Sequence, residues 1–274
     1  MYRPICPQGL GDPVKNQKLE NARLLYLEGI RDGHAREAVT KYTGARYTQH
    51  STGVADGIEG FVEFFTAFIE RNPVRDIRIV RGLVDGQYVF VQAYQDINNG
   101  EARWVTMDLF DTDEQDKIIE HWDVIAPVIA DTVSGHSQID GPTEVSDLGA
   151  TDRNKKIVAE FHEEVLVGGN LDRAPAFISP ECYIQHNPQV ADGLKGFTAY
   201  AAGLAKQGKA MQYERAFKNI GQGNFVVTYS KMQLGKTPYA IFDLYRLENG
   251  QIVEHWDNME LILPEDRWGN SGKF

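Results

Sequence analysis

His255 and Asp257 stand two residues apart in Ile252-Val253-Glu254-His255-Trp256-Asp257, and Asp243 interrupts the apolar run Phe242-Asp243-Leu244-Tyr245. Residues two apart on a strand share a face. His255 and Asp257 therefore point one way, and Glu254 and Trp256 the other. A carboxylate in an otherwise apolar strand is costly to bury unpaired, so Asp243 marks a polar pocket. A concave sheet backed by helices gathers Asp243, His255 and Asp257, and His186 from Gln185-His186-Asn187-Pro188 is expected to join them. Two imidazoles and two carboxylates around an apolar pocket suit proton transfer to and from carbon or oxygen. A desolvated carboxyl acts as acid or base near neutral pH, and a histidine beside it polarises a carbonyl or stabilises an enolate.

The same set occurs earlier in the chain. Tyr47–Phe61 and Tyr183–Phe197 are identical at nine of fifteen positions with a constant shift of 136, and Ile118–Asp123 returns as Ile252–Asp257 with a shift of 134. Unrelated sequences match at roughly one position in fifteen, so one domain has been duplicated in tandem. The first half thus offers Asp108, His121, Asp123 and His50 at equivalent places. Candidate substrate contacts are Tyr183, Tyr245 and Trp256, with Tyr47 and Trp122 in the first half. The two tryptophans alternate out of phase with the pocket set and read as core before they read as ligand platforms.

Plainer roles compete for several of these residues. His186 can satisfy backbone groups around the Asn187-Pro188 turn. Asp56 and Asp192, each before a glycine, read as turn or helix-capping residues. Glu120 and Glu254 are free to pair on the opposite face. There is no glycine-rich phosphate loop and no G-x-S-x-G nucleophile elbow. Two histidines and a carboxylate can also make a metal site, but the spacing matches no tight motif, so the expectation is a metal-free and cofactor-free protein.

The positioning elements follow from periodicity. Helical spacing covers Lys15–Asp32, His34–Tyr42 and Ile58–Arg71, the last ended by Asn72-Pro73. Strand patterns cover Asp76–Val84, Tyr88–Asp96, Arg103–Asp111 and Lys117–Val128. The order repeats as helices at Arg153–Gly168, Asp172–Ile178 and Leu194–Lys206. Strands then follow near Met211–Ile220, Asn224–Leu234, Thr237–Leu247 and Gln251–Ile262. Asn249-Gly250 supplies the last hairpin turn. Residues 1–14 read as an irregular lead-in. The Ser, Gly, Asp and Pro-rich stretch from Ser134 to Ala150 separates a first domain, 1–141, from a second, 151–274, with the linker proper at 142–150. The class is α+β.

With 274 residues, 42% hydrophobic and 24% charged, the chain is long enough for two domains with real cores. The net charge of −11 argues against nucleic acid and anionic membrane as partners. Residues 1–150 carry 14 Lys+Arg against 24 Asp+Glu, and residues 151–274 carry 14 against 15. The acidic surface therefore lies on the first half. No apolar run approaches the roughly 20 residues of a membrane span, and the N-terminus lacks a signal peptide's apolar core, so a cytoplasmic location is expected. Cys6 and Cys182 lack metal-ligand spacing, and Cys182 reads as a small buried residue.

The Y-x-Q-H-N-P-x-V-A-D-G stretch and the closing G-x-I-V-E-H-W-D resemble SnoaL-like proteins, the polyketide-cyclase branch of the NTF2-like superfamily. The resemblance covers both halves. It implies two tandem cones, each a curved antiparallel sheet wrapped by helices around a deep pocket. It also implies cofactor-independent acid/base catalysis of the aldol-cyclase, isomerase or dehydratase kind on a small to medium apolar carbonyl compound. The family's catalytic aspartate matches Asp123 and Asp257. The second half, which alone has Asn187-Pro188 where the first has Ser51-Thr52, is expected to carry most of the activity. Proteins of this fold commonly pair through the outer sheet face, which implies an internal pseudo-dimer here and leaves further homo-oligomerisation open. The same superfamily supports two other readings: a non-catalytic binding or assembly module, and a metal-dependent enzyme.

Overall fold

Apolar residues at Leu19, Ala22, Leu25, Tyr26 and Ile30 build the first helix of the computed structural model, which describes residues 16–274. The expected lead-in at 1–14 and Cys6 lie outside the described residues. Helix α1 (Gln17–Leu24) is capped by Asn16, whose side chain accepts from the Lys18 and Leu19 amides at 3.1 and 3.3 Å. It widens into a π-helical turn over Leu25–Arg31. The second half does the same where α4 (Thr151–Phe161) passes into a π-turn over His162–Val167. Such turns are rare and recur at functional sites. Helices α2 (Ala35–Tyr42) and α3 (Gly57–Arg71) complete the cover of the first half. A short 3₁₀ segment (Leu171–Ala176) and α5 (Gly193–Lys206) complete the second.

The first sheet has the order β1-β5-β4-β3-β2, from β1 (Thr43–Gln49), β2 (Arg75–Asp85), β3 (Tyr88–Ile97), β4 (Ala102–Thr112) and β5 (Ile118–Pro127). The second has β6-β11-β10-β9-β7, with β8 also on β9. Its strands are β6 (Ile184–Gln185), β7 (Met211–Tyr213), β8 (Lys218–Gln222), β9 (Phe225–Leu234), β10 (Thr237–Glu248) and β11 (Gln251–Leu261). The α+β expectation and the tandem arrangement of two helix-wrapped sheets hold. Two details differ. The strand expected over 211–220 is split, because β7 pairs Tyr213 with Met232 while β8 pairs Lys218 with Tyr229. That register leaves two extra residues as a bulge, and it turns Phe217 toward Trp122, 6.3 Å away. The Tyr47 and Tyr183 stretches also each contain a strand, β1 and β6, lying parallel to the last strand of its sheet.

The repeated A-D-G-x-x-G motif has a structural explanation. Gly57 and Gly193 take φ of +81° and +78°, where a side chain is strained. A Cβ on Gly60 or Gly196 would lie 2.1 or 1.9 Å from the carbonyl oxygen of Ala55 or Ala191. Asp56 and Asp192 sit at the helix N-caps but cap no helical amide. Instead they accept from the Gln49 and Gln185 amides at 2.7 and 2.8 Å, tying the loop to β1 and β6. Cys182 is exposed, against the expectation of a buried thiol, because it lies in the irregular segment before β6 rather than in a strand.

Alternation divides each sheet cleanly. One face of the first sheet packs against α1–α3, with Tyr26, Val39, Phe61, Val91 and Phe110 in its core. The opposite face contributes Phe90, Met107, Leu109 and Trp122 to one buried cluster shared with Tyr229, Phe242, Leu244 and Trp256 of the second sheet. Phe90 and Phe242 meet there at 6.1 Å. Arg81 stacks over Trp256 at 4.4 Å, and Lys218 over Trp122 at 4.7 Å. The chain after each last strand crosses to the other half. After β5, Ser134 Oγ donates to Gln185 O at 2.7 Å, and Ser137 O lies 2.7 Å from His186 Nδ1. After β11, Asn270 Nδ2 donates to Ser51 O at 2.7 Å, and Gly272 O lies 2.6 Å from His50 Nδ1.

Candidate active site

The inner face of the first sheet ends in a cavity of about 230 Å³. Its walls are aromatic and aliphatic, from Leu25 and Ile30 of the π-turn, Phe61, Phe64, Phe65 and Phe68 of α3, and Trp104 and Phe110 of β4. Its polar end holds Tyr47, Gln49, Ser51, Gln95, His121 and Asp123. Helix α3 supplies four phenylalanines because they recur at helical spacing on one face.

A hydrogen-bonded chain stands behind this polar end. Gln49 Oε1 accepts from the Ser51 amide at 3.2 Å, which fixes the orientation of the side-chain amide, and lies 2.7 Å from His121 Nδ1. His121 Nε2 is 2.9 Å from Asp108 Oδ1, which also accepts from the Tyr26 hydroxyl at 2.7 Å. Burial pushes the Asp108 carboxyl up, against the lowering effect of His121 and Tyr26, and its Oδ2 has no partner. Gln49 Nε2 donates to the Tyr47 hydroxyl oxygen at 3.2 Å, which leaves that hydroxyl's own proton for a ligand. Burial and the nearby Asp108 and Asp123 raise the Tyr47 phenol, so it stays protonated.

Asp123 differs from its neighbours. Burial opposes its ionisation, but the Lys273 ammonium and His121 outweigh burial and hold the carboxyl below the usual range. Lys273 Nζ lies 2.9 Å from Asp123 Oδ1 and 3.0 Å from Glu260 Oε2. Burial lowers the Lys273 ammonium, but the two carboxylates more than restore it and raise its pKa.

The second half repeats the constellation around a much smaller inner cavity, while Asp257 and Asn187 also line a separate groove of about 520 Å³ with Gln138 and Pro188. The inner cavity is about 30 Å³, lined by Tyr183, Gln185, Asn187, Asp243, Tyr245, His255 and Asp257 among others. At the shift of 136, Phe161 stands where the first half has Leu25, and Tyr213 where it has Ile77. These larger side chains fill the space. His255 Nε2 is 2.9 Å from Asp243 Oδ1, and its Nδ1 is 3.1 Å from Gln185 Oε1. Burial lowers the His255 pKa, but the hydrogen bond to Asp243 and the charge of Asp257 raise it further. Asn187 Nδ2 donates to both oxygens of Asp257 at 2.7 and 3.0 Å, yet burial still pushes this carboxyl up.

The structure thus brings together Asp108, His121, Asp123 and Tyr47 in one half, and Asp243, His255, Asp257, Tyr183 and Tyr245 in the other. It does not bring His50, His186, Trp122 or Trp256 to either pocket. In the register Gln49↔His121 and Gln185↔His255, the glutamine shares the pocket face and the next residue turns away. His50 and His186 therefore stack on Trp122 and Trp256 at 4.9 and 4.5 Å, with Nε2 2.9 and 2.8 Å from Glu120 and Glu254 Oε1. All of these lie on the outer face. No motif or spacing in the sequence marks Tyr26, Gln49, Gln185 or Lys273 as a site residue. Reading 43–49 as a strand would have placed Tyr47 and Gln49 inside and His50 outside.

Asp108, His121 and Asp123 lie close enough together to invite a metal ion, as do Asp243, His255 and Asp257. The donors are already engaged, however. Both nitrogens of His121 and of His255 face an internal partner, and Asp123 holds an ammonium. With their donor atoms turned to one another, these residues do not fit a metal shell.

No protein-family model and no curated protein matches the chain. Solved structures do. A candidate polyketide cyclase from Bacillus cereus ATCC 10987 is 18% identical, with 40% of this chain and 74% of that chain covered and a TM-score of 0.36. A candidate SnoaL-like polyketide cyclase from Jannaschia sp. CCS1 is 22% identical over 43% of this chain and 91% of its own, at 0.34. A candidate ketosteroid isomerase from Kribbella flavida DSM 17836 is 11% identical over 42% and 83%, at 0.35. Each covers under half of this chain. Among the described residues no helix is long and apolar enough to cross a membrane.

Proposed function

We propose that the first-half cavity binds a small apolar carbonyl compound and moves a proton on it, with Asp123 as the base. The observation that carries this reading is a carboxyl held ionised at the polar end of an aromatic cavity. Tyr47 donates its free hydroxyl proton to the carbonyl oxygen and stabilises the charge that develops there. His121, Gln49, Asp108 and Tyr26 hold the polar end in register. An aldol-type cyclase, an isomerase and a dehydratase all use such a step, and the reaction needs no cofactor. In this reading the second half, whose inner cavity beside Asp257, His255 and Asp243 is only about 30 Å³, serves mainly as a structural partner. We take residues 1–141 and 151–274 as the two domains, joined by 142–150, and the buried cluster that their sheets share supports an internal pseudo-dimer.

A second reading is a non-catalytic binding pocket, favoured by the complete internal bonding of His121. Both require the cavity to bind. Among the four tryptophans Trp104 alone lines the cavity, so titration with a bicyclic aromatic ketone should quench its fluorescence saturably. Trp104→Phe should abolish the signal, and Tyr47→Phe should weaken binding by roughly tenfold, the worth of one hydrogen bond. Absence of saturable quenching, or no effect of Tyr47→Phe, contradicts the reading.

A further inference from the structure

The two arms that cross between the halves are in register up to one position. Gly272 O and Ser137 O lie 2.6 and 2.7 Å from the Nδ1 atoms of His50 and His186. The carbonyls of the next residues, Lys273 and Gln138, accept from Tyr229 Oη at 2.7 Å and Gln92 Nε2 at 3.1 Å. At that position the side chains part company. Gln138 turns back on its own arm, donating to Pro127 O at 3.2 Å and accepting from the Ile129 amide at 2.8 Å. Lys273, only 2% exposed, reaches into the other half and donates to Asp123 Oδ1 at 2.9 Å and Asp123 O at 3.0 Å. Asp257 receives a neutral amide from Asn187 instead. A lysine is rarely buried so fully without a purpose, because desolvating an ammonium is expensive unless it is paired.

We propose that Lys273, carried across by the arm that follows β11, is a positioning residue that orients Asp123 and favours its ionised form, so that of the two equivalent aspartates only the first is paired with a buried cation. The proposal rests on the reading of the first-half cavity given above. The arm makes the first-half site a composite of both halves.

The groups around Asp123 support an effect of charge rather than of packing. His121 of β5 and Lys273 of the arm favour its ionised form. Glu260 of β11 and Asp108 of β4 stand nearby as carboxyls of the same sign. The hydroxyls of Tyr26, Tyr47 and Tyr229 feel the Asp123 charge but carry none of their own. Lys273 is the cation that tips this balance.

The test is a ¹³C NMR titration of aspartate carboxyls in the full chain, with the Asp123 and Asp257 signals assigned by their loss in Asp123→Asn and Asp257→Asn. The Asp123 signal should stay ionised to below about pH 4, the ordinary carboxylate range. In Lys273→Met its midpoint should rise by at least about one unit, the scale of losing an opposite charge within 4–6 Å. Lys273→Arg should keep the wild-type midpoint, and Gln138→Lys should bring the Asp257 midpoint down. An unmoved Asp123 midpoint in Lys273→Met, or equal shifts in the Met and Arg variants, overturns the proposal. If Lys273→Met does not fold, Gln138→Lys decides, and an unmoved Asp257 overturns it. A midpoint shifted as expected, alongside a chemistry indifferent to Asp123→Asn, would leave the positioning role standing and remove the proposed function.

Discussion

Phe242→Ala tests how tightly the two sheets depend on one another. The Phe242 ring is fully buried in the shared cluster, stacked on Tyr229 at 4.3 Å and tilted against Phe90 of the first sheet at 6.1 Å. Burying a phenylalanine contributes about 1.5–3 kcal/mol, and the cavity left by truncation brings the loss to about 3–5 kcal/mol. The two ring contacts put this site toward the upper end, since each aromatic pair adds about 0.5–1.5 kcal/mol. Phe65→Ala is the internal control. Its ring packs on Phe61 at 4.4 Å but is only half-buried on the wall of an existing cavity, so about 1–2 kcal/mol is expected from area alone. The assay is urea unfolding followed by far-UV circular dichroism and by tryptophan fluorescence. One transition should appear by both probes, because unfolding either half bares the other's apolar sheet face. Phe242→Ala should move all of it. A loss under about 1 kcal/mol, or two transitions of which only one moves, refutes a shared core.

Residues 148–274 expressed alone should self-associate or aggregate, because Phe242, Leu244 and Trp256 lose their cover; light scattering reads this, and a stable monomer contradicts it. The equivalent aspartates should also give pH dependences of opposite sign. The lowered Asp123 carboxyl contributes stability above the unfolded value of about 4 that is lost as pH falls through its folded value. The raised Asp257 carboxyl releases its proton more readily when unfolded, so its contribution is lost as pH rises from about 4 through its folded value. Thermal melts across pH should therefore show a weakened acid limb in Asp123→Asn and a weakened fall above about pH 4 in Asp257→Asn; the same limb altered in both refutes the assignment.

Much of this architecture is legible in local pattern. Helical spacing locates α1, α3 and α5, and period-two alternation puts His121, Asp123, His255 and Asp257 on one face with Trp122 and Trp256 on the other. The same rule fails at His50 and His186 because the strands before them are not evident in the pattern: β1 is seven residues long but has only Ala45 and Tyr47 as apolar residues. β6 has two residues, and its partner is the last strand of the sheet, some 70 residues away. Asn187-Pro188 draws attention to the second half, but cavity size follows from Phe161 and Tyr213 against Leu25 and Ile77, a matter of side-chain volume rather than motif. Lys273 is invisible to any local reading. Its partner lies 150 residues earlier, and only the crossing of the arms brings them together.

The most direct test of the chemistry is deuterium incorporation from D₂O at the carbon beside the carbonyl of a bicyclic aromatic ketone, catalysed by the full chain. Wild-type protein and Asp257→Asn should exchange at equal rates, and Asp123→Asn should be slower by roughly 10² or more, the scale of general acid–base catalysis. Exchange that survives in Asp123→Asn, or that is lost in Asp257→Asn instead, would contradict the assignment of the first-half cavity as the catalytic site.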